Sequence, residues 1–155
     1  MKSKKNLVFL GMMGSGKSSI GSLVAKKFKL DFLDIDKEIE KNLNTTIRKI
    51  FETKGEEYFR KVEEKMTLKK LKLNSTVISL GGGAFANKNI RNEILANHIS
   101  FWLKWNSQTL IERIANNPKR PIAFNSTKSE LFDMIKKLSQ KYIHFFILLF
   151  PLMAQ

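Results

Sequence analysis

At 155 residues the chain has the length of one domain, and its 43% hydrophobic and 10% aromatic content supplies a core and excludes a disordered polyelectrolyte. The absence of cysteine excludes a disulfide framework, a thiolate metal site and a cysteine nucleophile, and two histidines, His98 and His144, are a poor basis for a zinc site. Lys and Arg outnumber Asp and Glu by 28 to 14, a net charge of +14 that suits an anionic partner, but the basic residues are spread along the whole chain and do not choose among nucleic acid, a membrane surface and a small anionic ligand.

In chain order, Asn6–Leu10 is a short apolar run stopped by glycines, the pattern of a buried strand. The lysines ahead of it loosely resemble the start of a signal peptide, yet the run ends at Gly11. No apolar stretch reaches the ~18 residues of a membrane span, so the cytoplasm is the expected compartment. Lys17–Leu30 carries Ile20, Leu23, Val24 and Phe28 at helical spacing. Phe32–Ile35 is a second predicted strand, and Asp36 opens a helical pattern with Ile39 and Leu43 on one face. Thr46–Lys54 is a short predicted helix closed by Gly55, and Glu56–Leu73 a longer, charged one. Thr76–Leu80 is a third strand ending in Gly81-Gly82-Gly83. A helix near Asn87–Ala96, a strand Ile99–Leu103, a helix capped by Ser107 and running to about Asn116, a proline-containing loop Asn117–Lys128 and a helical pattern over Ser129–Tyr142 complete the series. This alternation predicts an α/β fold with a largely parallel sheet, in one domain without repeats or linkers.

Ile143–Gln155 contains no Lys, Arg, Asp or Glu. At ordinary composition such a run has a chance of roughly two per cent. Two explanations stand: a buried final strand over Ile143–Phe150, or a terminus that is truncated or altered.

The segment Gly11-Met12-Met13-Gly14-Ser15-Gly16-Lys17-Ser18 fits G-x-x-x-x-G-K-[ST] between a predicted strand and a predicted helix, the setting that motif requires. Glycines let backbone N–H groups turn inward around phosphate oxygens, and the helix N-terminus adds a favourable dipole. In such a nucleotide site Lys17 bridges the β- and γ-phosphates and the Ser18 hydroxyl ligates Mg²⁺. Asp34 and Asp36 lie at the C-terminal end of the second strand, where open α/β sheets bind ligands. Two apart on extended backbone they point the same way, so one is placed to hold metal-bound water and the other to take a proton from an acceptor hydroxyl; alternatively Asp36 only caps the next helix. Gly81-Gly82-Gly83 is either a close-approach surface for a small ligand or a flexible turn. Arg120 is either a mobile clamp on the transferring phosphate or a solvated loop residue.

Taken together, Gly11–Ser18, Leu33-Asp34-Ile35-Asp36, Gly55-Glu56-Glu57-Tyr58-Phe59-Arg60 with Glu63-Glu64, Leu80-Gly81-Gly82-Gly83-Ala84, Arg113 and Lys119-Arg120-Pro121 resemble shikimate kinase, a nucleoside-monophosphate-kinase-like P-loop family, over residues 5–142. The resemblance implies a three-layer α-β-α P-loop NTPase fold with a mostly parallel central sheet, a substrate-binding region at about 35–62 and a lid at about 117–127. It implies ATP-dependent phosphorylation of the shikimate 3-hydroxyl with Mg²⁺, by a cytoplasmic monomer without nucleic-acid or membrane partners. ATP contacts then fall on Gly14, Ser15, Gly16, Lys17, Ser18 and Ser19, with Arg113 stacking on adenine and Arg120 closing over the phosphates. Asp36 serves as base and holds ring hydroxyls, Arg60 pairs with the shikimate carboxylate, Gly81, Gly82 and Gly83 line the substrate, and Asp34 orders the Mg²⁺ water shell. Glu63 is placed to orient Arg60. The resemblance fails where the family's second carboxylate-binding arginine precedes Tyr142, since that position is Leu138, and the family's closing helix has no counterpart after Phe150. A kinase for another hydroxy acid such as gluconate, and a nucleotide-binding relic, are the alternative readings.

Overall fold

The computed structural model describes residues 5–115, 127, 129–133, 135–137 and 140. They fall in two compact units, residues 1–104 and 105–155, each taken by itself below.

The first unit is built on four parallel strands, β1 (Leu7–Leu10), β2 (Asp31–Asp34), β3 (Thr76–Ser79) and β4 (Ile99–Trp102), in the order β2-β3-β1-β4. The helices are α1 (Lys17–Phe28), α2 (Ile35–Leu43), α3 (Ile47–Leu71) and α4 (Lys88–Asn97). The strand sequences follow from their places. β1 and β3 are interior strands with both faces covered; β1 reads as an unbroken apolar run, and β3 holds Val77 and Ile78 between a buried Thr76 and a buried Ser79. Phe9 and Val77 pack with Ala25 of α1, while Val8, Leu10 and Ile78 on the other face are equally buried. Among the described residues β4 is the last strand on its side of the sheet and leaves Ile99 and Phe101 exposed, the latter stacked on Phe9 with ring centroids 5.3 Å apart.

The helix ends are set by local chemistry. α1 ends at Phe28, two residues before the predicted end, and is closed by Lys29 in the left-handed conformation. α2 begins at Ile35, capped by Asp34; Asp36 is in its first turn and is not the cap. Thr46 caps α3 through Lys49 N–H at 3.2 Å. Gly55 (φ +78) breaks α3 into two helical segments, as its predicted helix-stop role requires, but the second segment resumes at once with no intervening loop.

Asn6, fully buried, ties the strand starts together. Its side-chain N–H₂ donates to the Leu71 and Leu73 carbonyls at 2.9 and 2.7 Å, and its Oδ1 accepts from Thr76 N–H at 3.0 Å. Its own amide donates to His98 Nδ1 at 3.3 Å. Asn6→Ala removes three side-chain bonds and strands buried backbone groups, so urea unfolding is expected to show a loss of about 3 kcal/mol.

In the second unit α5 (Ser107–Ala115) is capped by Asn106, whose Oδ1 accepts from Thr109 N–H at 2.8 Å. Ser107 is the first helical residue, because either residue type can cap and the backbone turns one position earlier than predicted. Thr127 and Glu130 form a reciprocal capping box ahead of the helical residues 129–133. Among the described residues no helix is long and apolar enough to cross a membrane.

Candidate active site

The site is assembled at the C-terminal ends of β1, β2 and β3. Beyond β1 the chain turns through Gly11, Gly14 and Gly16, all with positive φ (+143, +80 and +87). A Cβ on Gly11 would stand 2.8 Å from both the Leu103 carbonyl oxygen and Ser15 Oγ, so this turn needs glycine for space as well as for conformation. Gly16 precedes α1 in the left-handed conformation and gives no side-chain cap, which leaves the first-turn amides of Lys17, Ser18 and Ser19 directed at the mouth of the loop. Lys17 is 8% exposed and folds back to donate from Nζ to the Met12 carbonyl at 2.9 Å.

Ser18 Oγ donates to Asp34 Oδ2 at 2.5 Å and lies 3.5 Å from Ser79 Oγ at the end of β3. Asp34 works in two directions: its other oxygen accepts from Asp36 N–H (3.1 Å) and Lys37 N–H (3.4 Å) and starts α2. This corrects the expectation that Asp34 and Asp36 share one extended segment. The chain changes from strand to helix between them, and what brings both to the site is the helix turn, not strand alternation. The oxygen donors of Ser18 and Asp34, with Ser79 beside them, are the hard set that suits Mg²⁺.

The triple glycine has no positive φ. Its lack of side chains serves proximity. A Cβ on Gly81 would strike Glu63 Oε1 and come within 2.8 Å of Asp36 Oδ1; one on Gly82 would stand 3.0 Å from Met13 N in the P-loop; one on Gly83 would stand 3.0 Å from both Nη atoms of Arg60. The turn is therefore a packed junction of four elements, not a flexible linker. Arg91 of α4 secures the single 3-10 turn that follows (Ala84–Ala86), donating to the Phe85 and Ala86 carbonyls at 3.2 and 3.1 Å.

Arg60, on the second segment of α3, lies between two acids of its own helix. Nη1 donates to Glu63 Oε2 at 2.7 Å, and Nε and Nη2 both donate to Glu56 Oε1, at 3.2 and 3.1 Å. Glu63 is buried, and its Oε1 has no hydrogen-bond partner where it faces Gly81. Burial disfavours its charge, and although Arg60 opposes this, the Glu63 carboxyl titrates above its ordinary range. Burial likewise pulls on Arg60, but the Glu63 charge and the bonds to Glu63 and Glu56 outweigh it and hold the guanidinium protonated. Asp36 is pushed up to about 6, first by burial, then by the Asp34 and Glu63 carboxylates, against the pull of Lys17. A carboxyl with that value changes charge just below neutrality, as suits a general base.

The structure thus brings Asp34, Asp36, Arg60, Gly81, Gly82, Gly83, Lys17 and Ser18 together in the first unit. Arg113 lies in the second unit with its guanidinium 4.0 Å from the centroid of the Trp105 ring, a cation–π contact that the sequence reading did not include. Arg120, the predicted lid, Leu138, Tyr142 and the uncharged tail lie outside the described residues. Two contributors were missed: Ser79, signalled only by a lone hydroxyl at a strand end before the glycines, and Glu56, signalled by its i,i+4 spacing to Arg60.

A parallel sheet with a phosphate loop opening its first helix is the fold of the P-loop kinases, and acids gather beside that loop. The shikimate kinase family profile matches residues 13–147. The chain is 40% identical over 139 residues to a shikimate kinase of Bartonella quintana, covering 90% of this chain and 65% of that one, and 41% identical over 146 residues to a shikimate kinase of Bacillus subtilis, covering 86% and 73%. A solved shikimate kinase from Acinetobacter baumannii in complex with shikimate superposes with a TM-score of 0.84 at 28% identity, over 90% of this chain and 79% of that one. The chain belongs to the shikimate kinase family, and it spans about 65% of the length of the Bartonella relative.

Proposed function

We propose that the chain transfers the γ-phosphoryl group of ATP to the 3-hydroxyl of shikimate, giving shikimate 3-phosphate and ADP. The observation that carries this reading is the junction at Gly81–Gly83, which sets the Asp36 carboxylate, the Glu63–Arg60 pair and the P-loop backbone against one another. A phosphoryl acceptor needs a base for its hydroxyl, and an acidic acceptor needs a cation for its carboxylate; Asp36 and Arg60 meet both needs within reach of one turn.

In this reading the amides of Gly14–Ser19 cradle the phosphates, and Lys17 leaves the Met12 carbonyl to bridge them. Ser18 and Asp34 would hold Mg²⁺, which when bound neutralises charge on the phosphate oxygens. Asp36 accepts the proton of the 3-hydroxyl as the oxygen–phosphorus bond forms, and ADP leaves with the bonding electron pair. Arg60 grips the acceptor carboxylate through two parallel bonds, and the glycine turn lets the ring approach the backbone. Arg113 on the adenine and Arg120 in a lid over residues 117–127 are the family's assignments for these positions and complete the proposal.

The reading is tested by ADP formation from MgATP with purified protein and a panel of acceptors. Shikimate is expected to stimulate it at least tenfold, while gluconate leaves the basal rate unchanged. Stimulation by gluconate alone would replace shikimate as the acceptor, and nucleotide binding without any acceptor-dependent turnover would make the chain a relic.

A further inference from the structure

One of the two sides by which Arg60 could grip a carboxylate is already taken by one. Nε and Nη2 of a guanidinium form one of its two forks for bidentate binding, and both converge on Glu56 Oε1. The two acids that flank Arg60 differ in kind. Glu63 is committed: its side chain is 3% exposed, it is held at 2.7 Å and it faces Gly81. Glu56 is 65% exposed, sits four residues before Arg60 on the same helical segment, and shares one oxygen between both nitrogens. An exposed i,i+4 pair of this kind is weak and exchanges readily with a better partner.

We propose that Glu56 is a placeholder carboxylate, which occupies the Nε–Nη2 side of Arg60 until the acceptor's carboxylate displaces it. The inference rests on the pairing of Arg60 with the acceptor carboxylate given above. The physical consequence is twofold. With Glu56 in place the guanidinium is bonded on both sides, to Glu63 through Nη1 and to Glu56 through Nε and Nη2, and stays oriented. Only an acceptor that offers a carboxylate competes with Glu56 for the guanidinium; a neutral analogue leaves the pair in place. The cost is competition, since the acceptor must displace an intramolecular rival of the same chemistry.

Glu56→Gln removes the rival's charge at an exposed position where the fold does not depend on it. Titration of acceptor in the ADP assay is expected to show the KM for shikimate falling about two- to fivefold, the size of an exposed ion pair. The KM for shikimate methyl ester, which lacks the charge, should not fall. The shikimate effect should shrink in 0.5 M KCl, because the competition is electrostatic. Glu56→Ala, which cannot hydrogen-bond to Arg60 at all, should lower the shikimate KM as well. An unchanged or raised shikimate KM in Glu56→Gln would overturn the placeholder role, as would an equal fall for acid and ester. Wild-type protein without shikimate-dependent turnover would instead remove the reading on which the inference rests.

Discussion

Asp36→Asn is expected to slow turnover by orders of magnitude and, at neutral pH, to make the protein more stable. The two effects share a cause. Asp36 is half-buried beside Asp34 and Glu63, and its carboxyl is raised from an ordinary 3.8 to about 6. The folded protein therefore holds this proton more tightly than the unfolded chain does. Below pH ~4 both states are protonated and the site is not penalised. As pH rises through the window from 4 to 6 the unfolded chain ionises first, and the stabilising contribution of the protonated group is lost. Above about 6 the ionised, half-buried carboxylate is a fixed penalty of about 3 kcal/mol. Asparagine keeps the shape without the charge. Thermal melts at pH 7.5 should place the variant several degrees above wild type, with the gap closing towards pH 4. Loss of the base should lower kcat by about 10²–10⁴-fold, and the wild-type rate should rise with pH through about 6. A variant that is less stable at pH 7.5, or one that keeps wild-type activity, would contradict this account of Asp36.

Gly81→Ala should be nearly as damaging to activity for a steric reason. The backbone at Gly81 is open to any residue, since its φ is not positive. The added methyl group, however, would collide with Glu63 Oε1 and press on Asp36 Oδ1 at 2.8 Å. Glu63 cannot yield without disturbing Arg60, to which it is bonded at 2.7 Å. One methyl group thus displaces the proposed base and the proposed carboxylate clamp together. A misplacement of about 1 Å at reacting groups costs on the order of 10²-fold, whereas overpacking costs about 1–3 kcal/mol, which a folded domain tolerates. A folded variant with kcat/KM for shikimate reduced about a hundredfold is the expected outcome; undiminished activity would mean that the glycine turn is not the organising element of the site.

The parts of this site that the sequence made legible are those governed by local rules. The phosphate loop is contiguous, lies between an apolar run and an amphipathic helix, and could be placed residue by residue. The interior strands were equally plain, because Leu7–Leu10 is apolar throughout and Val77 and Ile78 form the buried centre of Thr76–Ser79. The Glu63–Arg60 bond followed from i,i+3 spacing. What one sequence could not show was why three glycines stand in a row. Their neighbours, Asp36, Glu63, Arg60 and Met13, come from three separate stretches of chain and meet only in the folded protein. The Asp-x-Asp pair was misread for a related reason. A period of two is the rule within a strand, but the strand ends at the first aspartate, and the same spacing belongs half to β2 and half to α2. Asn6 gave no signal beyond being a polar residue at the start of an apolar strand.

The most direct test of the central claim is the identity of the product. The purified 155-residue chain would be incubated with MgATP and shikimate, and ³¹P and proton NMR would locate the new phosphate ester on the ring. Phosphate on the 3-hydroxyl, formed together with ADP and at least a hundredfold more slowly in the Asp36→Asn reaction, is the result this account predicts. ADP formation without phosphate on shikimate, or an ester at another hydroxyl, would contradict it.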